Sequence, residues 1–184
     1  DRQIGVGIKK RDDRTVRVYS QAFEAQAEFS LDNIQRDESQ TWTNFERGVA
    51  DVMQKAGHTL CGADIWFYGD VPLGAGLSSS AAVEVAIALA FNELCNLGIS
   101  LKDLALLAQK AENEFVVVNC GIMDQFASAL SPANGLLHLD CKSLEYKTVP
   151  FDAPDIAIVL ANTNVERRLE TSEYNERRSQ CEEG

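Results

Sequence analysis

The chain has 184 residues, and its 17 Lys and Arg against 28 Asp and Glu give a net charge of −11, which excludes the clustered positive surface of a nucleic-acid binder. A hydrophobic content of 45% with mixed charges excludes a disordered polymer and allows one sizeable domain or slightly more. The five cysteines (Cys61, Cys95, Cys120, Cys141, Cys181) are odd in number and lack a C-x-x-C pair, which excludes a disulfide framework or zinc site and points to a reducing, cytoplasmic setting.

No apolar run approaches the length of a membrane span, so no membrane partner is expected. The sequence opens at Asp1 inside a strand-like pattern and closes at Gly184 inside a helix-like one, and it is expected to be part of a longer protein. Arg2 to Ile8 alternates weakly, and the charged run from Lys9 to Arg14 predicts a hairpin turn. Val16 and Val18 face one side and Arg17 and Tyr19 the other, giving a half-buried strand. Phe29-Ser30-Leu31 fits a second short strand. Trp42, Phe45, Val49, Val52 and Met53 recur near helical spacing, and Gly57 ends that helix. Trp42 is expected to pack there, with an edge able to line a nucleotide base. Ala63 to Tyr68 is rich in β-formers and delivers the chain to its most distinctive stretch.

That stretch is Asp70-Val71-Pro72-Leu73-Gly74-Ala75-Gly76-Leu77-Ser78-Ser79-Ser80-Ala81-Ala82. It reads as a strand end, a loop of small residues and the start of a long helix. Gly74, Ala75 and Gly76 let a backbone approach a bulky ligand, and three serines stand where a helix presents unpaired N–H groups. The positive end of the helix dipole makes phosphate the default ligand. The plain alternative is a tight turn with a serine N-cap. The stretch matches neither G-x-x-x-x-G-K-[ST] nor a protein-kinase glycine loop.

The helix from about Ser79 to Leu94 carries Val83, Ala86, Ile87, Ala90 and Leu94 on one stripe, and Gly98 closes it. Ser100-x-x-Asp103 is a capping box that opens a second helix, ending near Glu112-Asn113-Glu114. Val116-Val117-Val118 breaks the pattern, and a third helix runs from about Gly121 to Leu130 with Asp124 in its first turn. Beyond the turn Ser131–Gly135, strands are expected at Leu136–Asp140, Tyr146–Val149 and Ile156–Ala161, the last apolar on both faces and so central. Glu166 to Glu183 is polar and helical in character.

Phosphoryl transfer needs more than a phosphate loop: a metal and a group to place the acceptor hydroxyl. Magnesium takes hard oxygen ligands, so Ser80 and Glu112 are a candidate pair if the two helices pack antiparallel. Glu112 read alone is a surface helix acid. Asp124 is either an electrostatic helix cap or a base that accepts a proton from a sugar hydroxyl.

With these segments in view, the chain resembles the galactokinases of the GHMP small-molecule kinase superfamily. The loop is similar to the superfamily's second motif, Pro-x-x-x-Gly-Leu-x-Ser-Ser-Ala. The block from Ala111-Glu112-Asn113-Glu114-Phe115 through Asn119-Cys120-Gly121-Ile122-Met123-Asp124-Gln125-Phe126 resembles the galactokinase form of the catalytic-Asp helix. Leu139–Glu145 and the segment Ser172-Glu173-Tyr174-Asn175 with Arg177, Arg178, Gln180, Cys181 and Glu182 extend the likeness over essentially the whole chain.

The resemblance implies an α+β fold: an N-terminal, ATP-binding lobe of the ribosomal protein S5 domain 2-like type over residues 1–130, and the beginning of a C-terminal lobe over 131–184. It implies ATP-dependent phosphorylation of the galactose C1 hydroxyl by a cytoplasmic monomer. Gly74, Gly76, Leu77, Ser78, Ser79 and Ser80 would bind the ATP phosphates, with Ser80 and Glu112 on Mg²⁺. Asp124 would act on the C1 hydroxyl, Gly121 and Tyr174 would touch the sugar, and Trp42 would lie near the adenine. The family's Gly-Arg-x-Asn-x-Ile-Gly-Glu-His-Thr-Asp-Tyr segment and its glycine-rich third motif are not in these 184 residues, and Val117 stands where a small residue, usually Gly, is expected. The piece alone is therefore expected to be inactive. The alternatives are a related kinase for N-acetylgalactosamine or arabinose, and a non-catalytic sensor of galactose and ATP.

Overall fold

Alternating apolar residues need a sheet with one buried face, and four segments supply it. A computed structural model describes residues 2–152, 155–161, 177, 179–181 and 183. Strands β1 (Ile4–Lys10), β2 (Thr15–Ser20), β3 (Ala25–Ser30) and β4 (Ala63–Gly69) form one sheet in the order β1-β4-β2-β3. Val16, Val18, Phe29, Ala63, Ile65 and Phe67 are buried on its inner face.

The Lys9–Arg14 run is not a hairpin turn. β4 lies between β1 and β2, antiparallel to the first and parallel to the second, so that Ala63 stands opposite both Lys10 and Val16. A strand with three buried side chains is better satisfied by a neighbour on each edge, and the connection crosses its end instead. The Arg11 N–H donates to the Gly62 carbonyl at 2.9 Å. A side chain at Gly62 would collide with the backbone oxygens of Asp13 and Thr15, so glycine permits that crossing. The strand expected at Phe29–Leu31 begins earlier, at Ala25, because the whole of β2 pairs with it.

Helices stack on the buried face. A 3₁₀ turn at Thr41–Thr43 contains Trp42, and α1 (Asn44–Lys55) follows it. α2 (Ser79–Leu94) is central, packing on β1, on α1, on α3 (Leu101–Ala111) and on α4 (Met123–Leu130). Its buried residues, among them Ala81, Glu84, Val85, Ile87, Ala88 and Phe91, occupy more than the single stripe expected, because neighbours enclose it. At the start of α3, Ser100 Oγ accepts from the Asp103 N–H at 3.1 Å and donates to the Asp103 carboxylate at 2.7 Å. The chain then continues through a π-helical turn, Glu112–Val116, and stops at Val117 in the left-handed region, φ +69°.

A two-stranded antiparallel sheet, β5 (Gly135–Leu139) and β6 (Tyr146–Pro150), packs on α4: Leu137 and Leu139 join a cluster around Phe126, and the Phe126 and Tyr146 rings meet edge-on at 6.1 Å. Ile156–Ala161 is not a strand. Ile158 is 75% and Val159 84% exposed, and among the described residues no strand lies beside the segment to satisfy its backbone. Most of the helix expected over Glu166–Glu183, with Tyr174, lies outside the described residues. No described helix is long and apolar enough to cross a membrane.

Candidate functional site: the loop before α2 and a buried carboxyl cluster

The loop between β4 and α2 is tied down at its entry. The Asp70 carboxylate accepts from the Gln3 N–H at 2.8 Å and pairs with Arg2, and these bonds, the backbone one first, hold its carboxyl below the usual value. The loop then takes left-handed conformations at alternate residues: Gly74 at φ +65°, Gly76 at +73° and Ser78 at +57°. Glycine adopts that region freely, whereas Ser78 does so at a cost of about 1–2 kcal/mol. Alternation of this kind turns successive N–H groups toward one concavity, an arrangement suited to anions. Ser78 occupies the N-cap position of α2 yet makes no side-chain capping bond, so the plain serine cap is not what is built here.

Helix packing joins two predicted residues from distant parts of the sequence. Ser80 in the first turn of α2 donates its hydroxyl to Glu112 Oε1, at the end of α3, at 3.1 Å. Glu112 is buried, not a surface acid. Its other oxygen accepts from the Gln125 side-chain amide at 2.7 Å and from the Cys120 thiol at 3.2 Å. The same Gln125 amide reaches Glu84 Oε2 at 3.4 Å. Glu84 and Gln125 are fully buried, and Oε1 of each has no partner. Desolvation pushes the Glu112 carboxyl up despite these hydrogen bonds, and it pushes Glu84 well up, with the neighbouring Glu112 adding to the shift. Burial, followed by the Glu112 charge, also pushes the Cys120 thiol up.

Asp124 lies half-buried in the first turn of α4, next to Gln125, and so its backbone is anchored to this cluster. Gly121 is exposed, with open space where a side chain would project. Trp42 packs as expected: it stacks on Phe23 at 5.5 Å and lies tilted against Phe67 at 6.2 Å. These rings wall an apolar cavity of about 300 Å³ that extends to Ser79 and Ser80. The cavity thus runs from the Trp42 aromatic wall to the end of the phosphate-type loop. Glu46 also lines it, fully buried and with both carboxylate oxygens unpartnered, and burial raises its carboxyl to about 8.

Sequence reasoning missed Glu46, Glu84, Cys120 and Gln125. Glu84 had a signal: a carboxylate one turn after Ser80, inside an otherwise apolar helix, needs an interior partner. The other three become functional candidates only through packing.

The donor set suits magnesium. A hydroxyl and a carboxylate oxygen converge at Ser80 and Glu112, hard donors of the kind magnesium takes, and the unpartnered Glu84 oxygen belongs to the same buried cluster. Among the described residues no group of three or more His, Cys, Asp or Glu is placed to hold a metal ion, and magnesium requires only one or two protein carboxylates.

Comparison with known proteins agrees with this geometry. Residues 44–131 match the family described as "GHMP kinases N terminal domain". The chain is 46% identical over 182 residues to a galactokinase of Roseiflexus sp., covering 99% of this chain and 46% of that protein. It is 45% identical over 183 residues to one of Chloroflexus aggregans, covering 100% of this chain and 47% of that protein. The crystal structure of Lactococcus lactis galactokinase complexed with galactose superposes with a TM-score of 0.91 at 35% identity, covering 98% of this chain and 48% of that one. The chain thus spans about half the length of the relatives it matches. A sheet-and-helix lobe with this loop and this buried glutamate matches the GHMP kinase N-terminal domain over residues 44–131, and over nearly every residue the chain is similar to about half of a galactokinase.

Proposed function

We propose that this chain supplies the nucleotide-phosphate half of a galactokinase, which moves the terminal phosphoryl group of ATP to the C1 hydroxyl of galactose. The observation that carries this reading is the Ser80–Glu112 contact, which puts a hydroxyl and a buried carboxylate at the mouth of the loop. In this reading Gly74, Gly76, Leu77, Ser78, Ser79 and Ser80 cradle the phosphates, and Trp42 lines the space for the base. Ser80 and Glu112 hold Mg²⁺, which when bound neutralises charge on the transferring phosphoryl group. Asp124 accepts a hydrogen bond or a proton from the C1 hydroxyl, and Gly121 and Tyr174 contact the sugar. Gln125 and Glu84 keep Glu112 in place.

The lobe boundary falls near residue 130, where α4 gives way to β5. Five free cysteines suit a cytoplasmic protein, and we take it to be a monomer. A coupled assay of the full-length protein with ATP against galactose, N-acetylgalactosamine and arabinose tests the reading. Galactose is expected to give the highest kcat/KM. Preference for another sugar would reassign the substrate, and sugar-dependent binding without turnover would make the protein a sensor.

A further inference from the structure

The phosphate loop does not use Cys61 and Cys95, and they lie at the other end of its helix. Cys61 precedes β4, and Cys95 is the residue that follows α2. They are 34 positions apart, yet their sulfurs lie 3.2 Å from each other, and the Cys61 N–H points at Cys95 Sγ at 3.4 Å. Both are free thiols and half-buried. A disulfide needs sulfurs at about 2.05 Å, roughly 1 Å closer than they lie here. We infer that Cys61 and Cys95 form an oxidant-responsive dithiol, converted by hydroperoxides into a disulfide that staples the end of α2 to the start of β4.

The chemistry is a two-step oxidation. The Cys61 thiolate attacks the peroxide, the O–O bond breaks, and sulfenic acid and hydroxide form. Cys95 then condenses with that sulfenic acid, giving the S–S bond and releasing water. The peroxide is reduced and the two thiols are oxidised. Burial raises the Cys95 thiol, which suits it to the resolving step.

The ring closed in this way contains all of β4, the loop with Gly74–Ser80, and all of α2. Such a cross-link limits the unfolded chain, while α2, about 24 Å long, keeps the bond a full helix length from Ser80. The oxidised form should therefore resist unfolding and leave the loop end unchanged. This inference is independent of the proposed kinase reading.

The test treats the protein with hydrogen peroxide and maps its peptides without reduction. The expected result is a Cys61–Cys95 linked peptide, loss of two hydrogens in mass, and a thermal midpoint raised by several degrees and reversed by dithiothreitol. A variant with Cys120→Ser, Cys141→Ser and Cys181→Ser should behave in the same way, and Cys61→Ser should abolish both linkage and shift. Linkage of any other pair, or full alkylation of Cys61 and Cys95 after peroxide in both the native and the triple-serine protein, overturns the inference.

Discussion

The side-chain amide of Gln125 donates to Oε2 of Glu112 at 2.7 Å, joining the first turn of α4 to the end of α3. Together with the packing of Phe126, it holds Asp124, the neighbour of Gln125 in sequence, near the Ser80–Glu112 pair. It also brings a neutral donor to a buried acid whose described hydrogen-bond partners, Ser80, Cys120 and Gln125, carry no positive charge. Replacing it in Gln125→Leu leaves Glu112 and Glu84 without the amide and should cost about 1–3 kcal/mol. Urea denaturation reads the loss directly. A variant as stable as the parent would mean that the amide is dispensable.

Glu112→Gln removes the carboxylate assigned to magnesium but keeps its shape and one acceptor oxygen for Gln125, while the Ser80 hydroxyl can turn to accept from the new amide. It should abolish the magnesium-dependent part of the thermal shift caused by ATP. Without ligands, stability should hold or rise, because a desolvated carboxyl is removed. Thermal scans with ATP, with and without magnesium, separate the two effects. An undiminished magnesium-dependent shift would take Glu112 out of the metal site.

Asp124→Asn should lower galactose phosphorylation by the full-length protein by roughly 10²–10⁴-fold, the usual worth of a positioned acid–base group. ATP binding, measured by calorimetry, should stay within a few-fold. Normal turnover would remove Asp124 from the mechanism.

The pH dependence of stability follows from Glu46. Burial raises its carboxyl to about 8 in the folded chain, against roughly 4.3 when unfolded. Between those values the native state holds a proton that the unfolded state has released, so stability is full at the acid end and declines toward pH 8. Each pH unit in that window removes up to about 1.4 kcal/mol. Glu84 and Glu112 are shifted in the same direction and steepen the slope. Denaturant midpoints from pH 5 to pH 8 should therefore fall, and fall less in Glu46→Gln, which overtakes the parent at the alkaline end. Parallel profiles for the two proteins would contradict the buried, neutral Glu46.

Val117 holds a left-handed conformation at φ +69°, where a β-branched side chain is strained. Val117→Gly should raise stability by about 1 kcal/mol, net of the extra freedom that glycine gains on unfolding. A lowered denaturation midpoint would show that the valine contributes more than its strain costs.

Local signals were enough for much of the fold. The period-two pattern at Val16 and Val18, the helical spacing through Val49 and Met53, and the Ser100–Asp103 box each reappear at their expected places, because they act between residues close in the chain. The loop at Gly74–Ser80 was legible for the same reason: its glycines and serines meet a local backbone demand.

What the sequence could not decide was which distant segments meet. β4 enters between β1 and β2, against a local pattern that reads as a hairpin, because strand order depends on how edges far apart in sequence are satisfied. Glu112 looks like a surface acid until α2 and α3 pack and bury it beside Ser80, Glu84 and Gln125. Burial and charge coupling are properties of three-dimensional neighbours. The sequence determined by itself the phosphate-type loop and the family it resembles; only the tertiary structure built the carboxyl cluster beneath that loop and placed Cys61 beside Cys95.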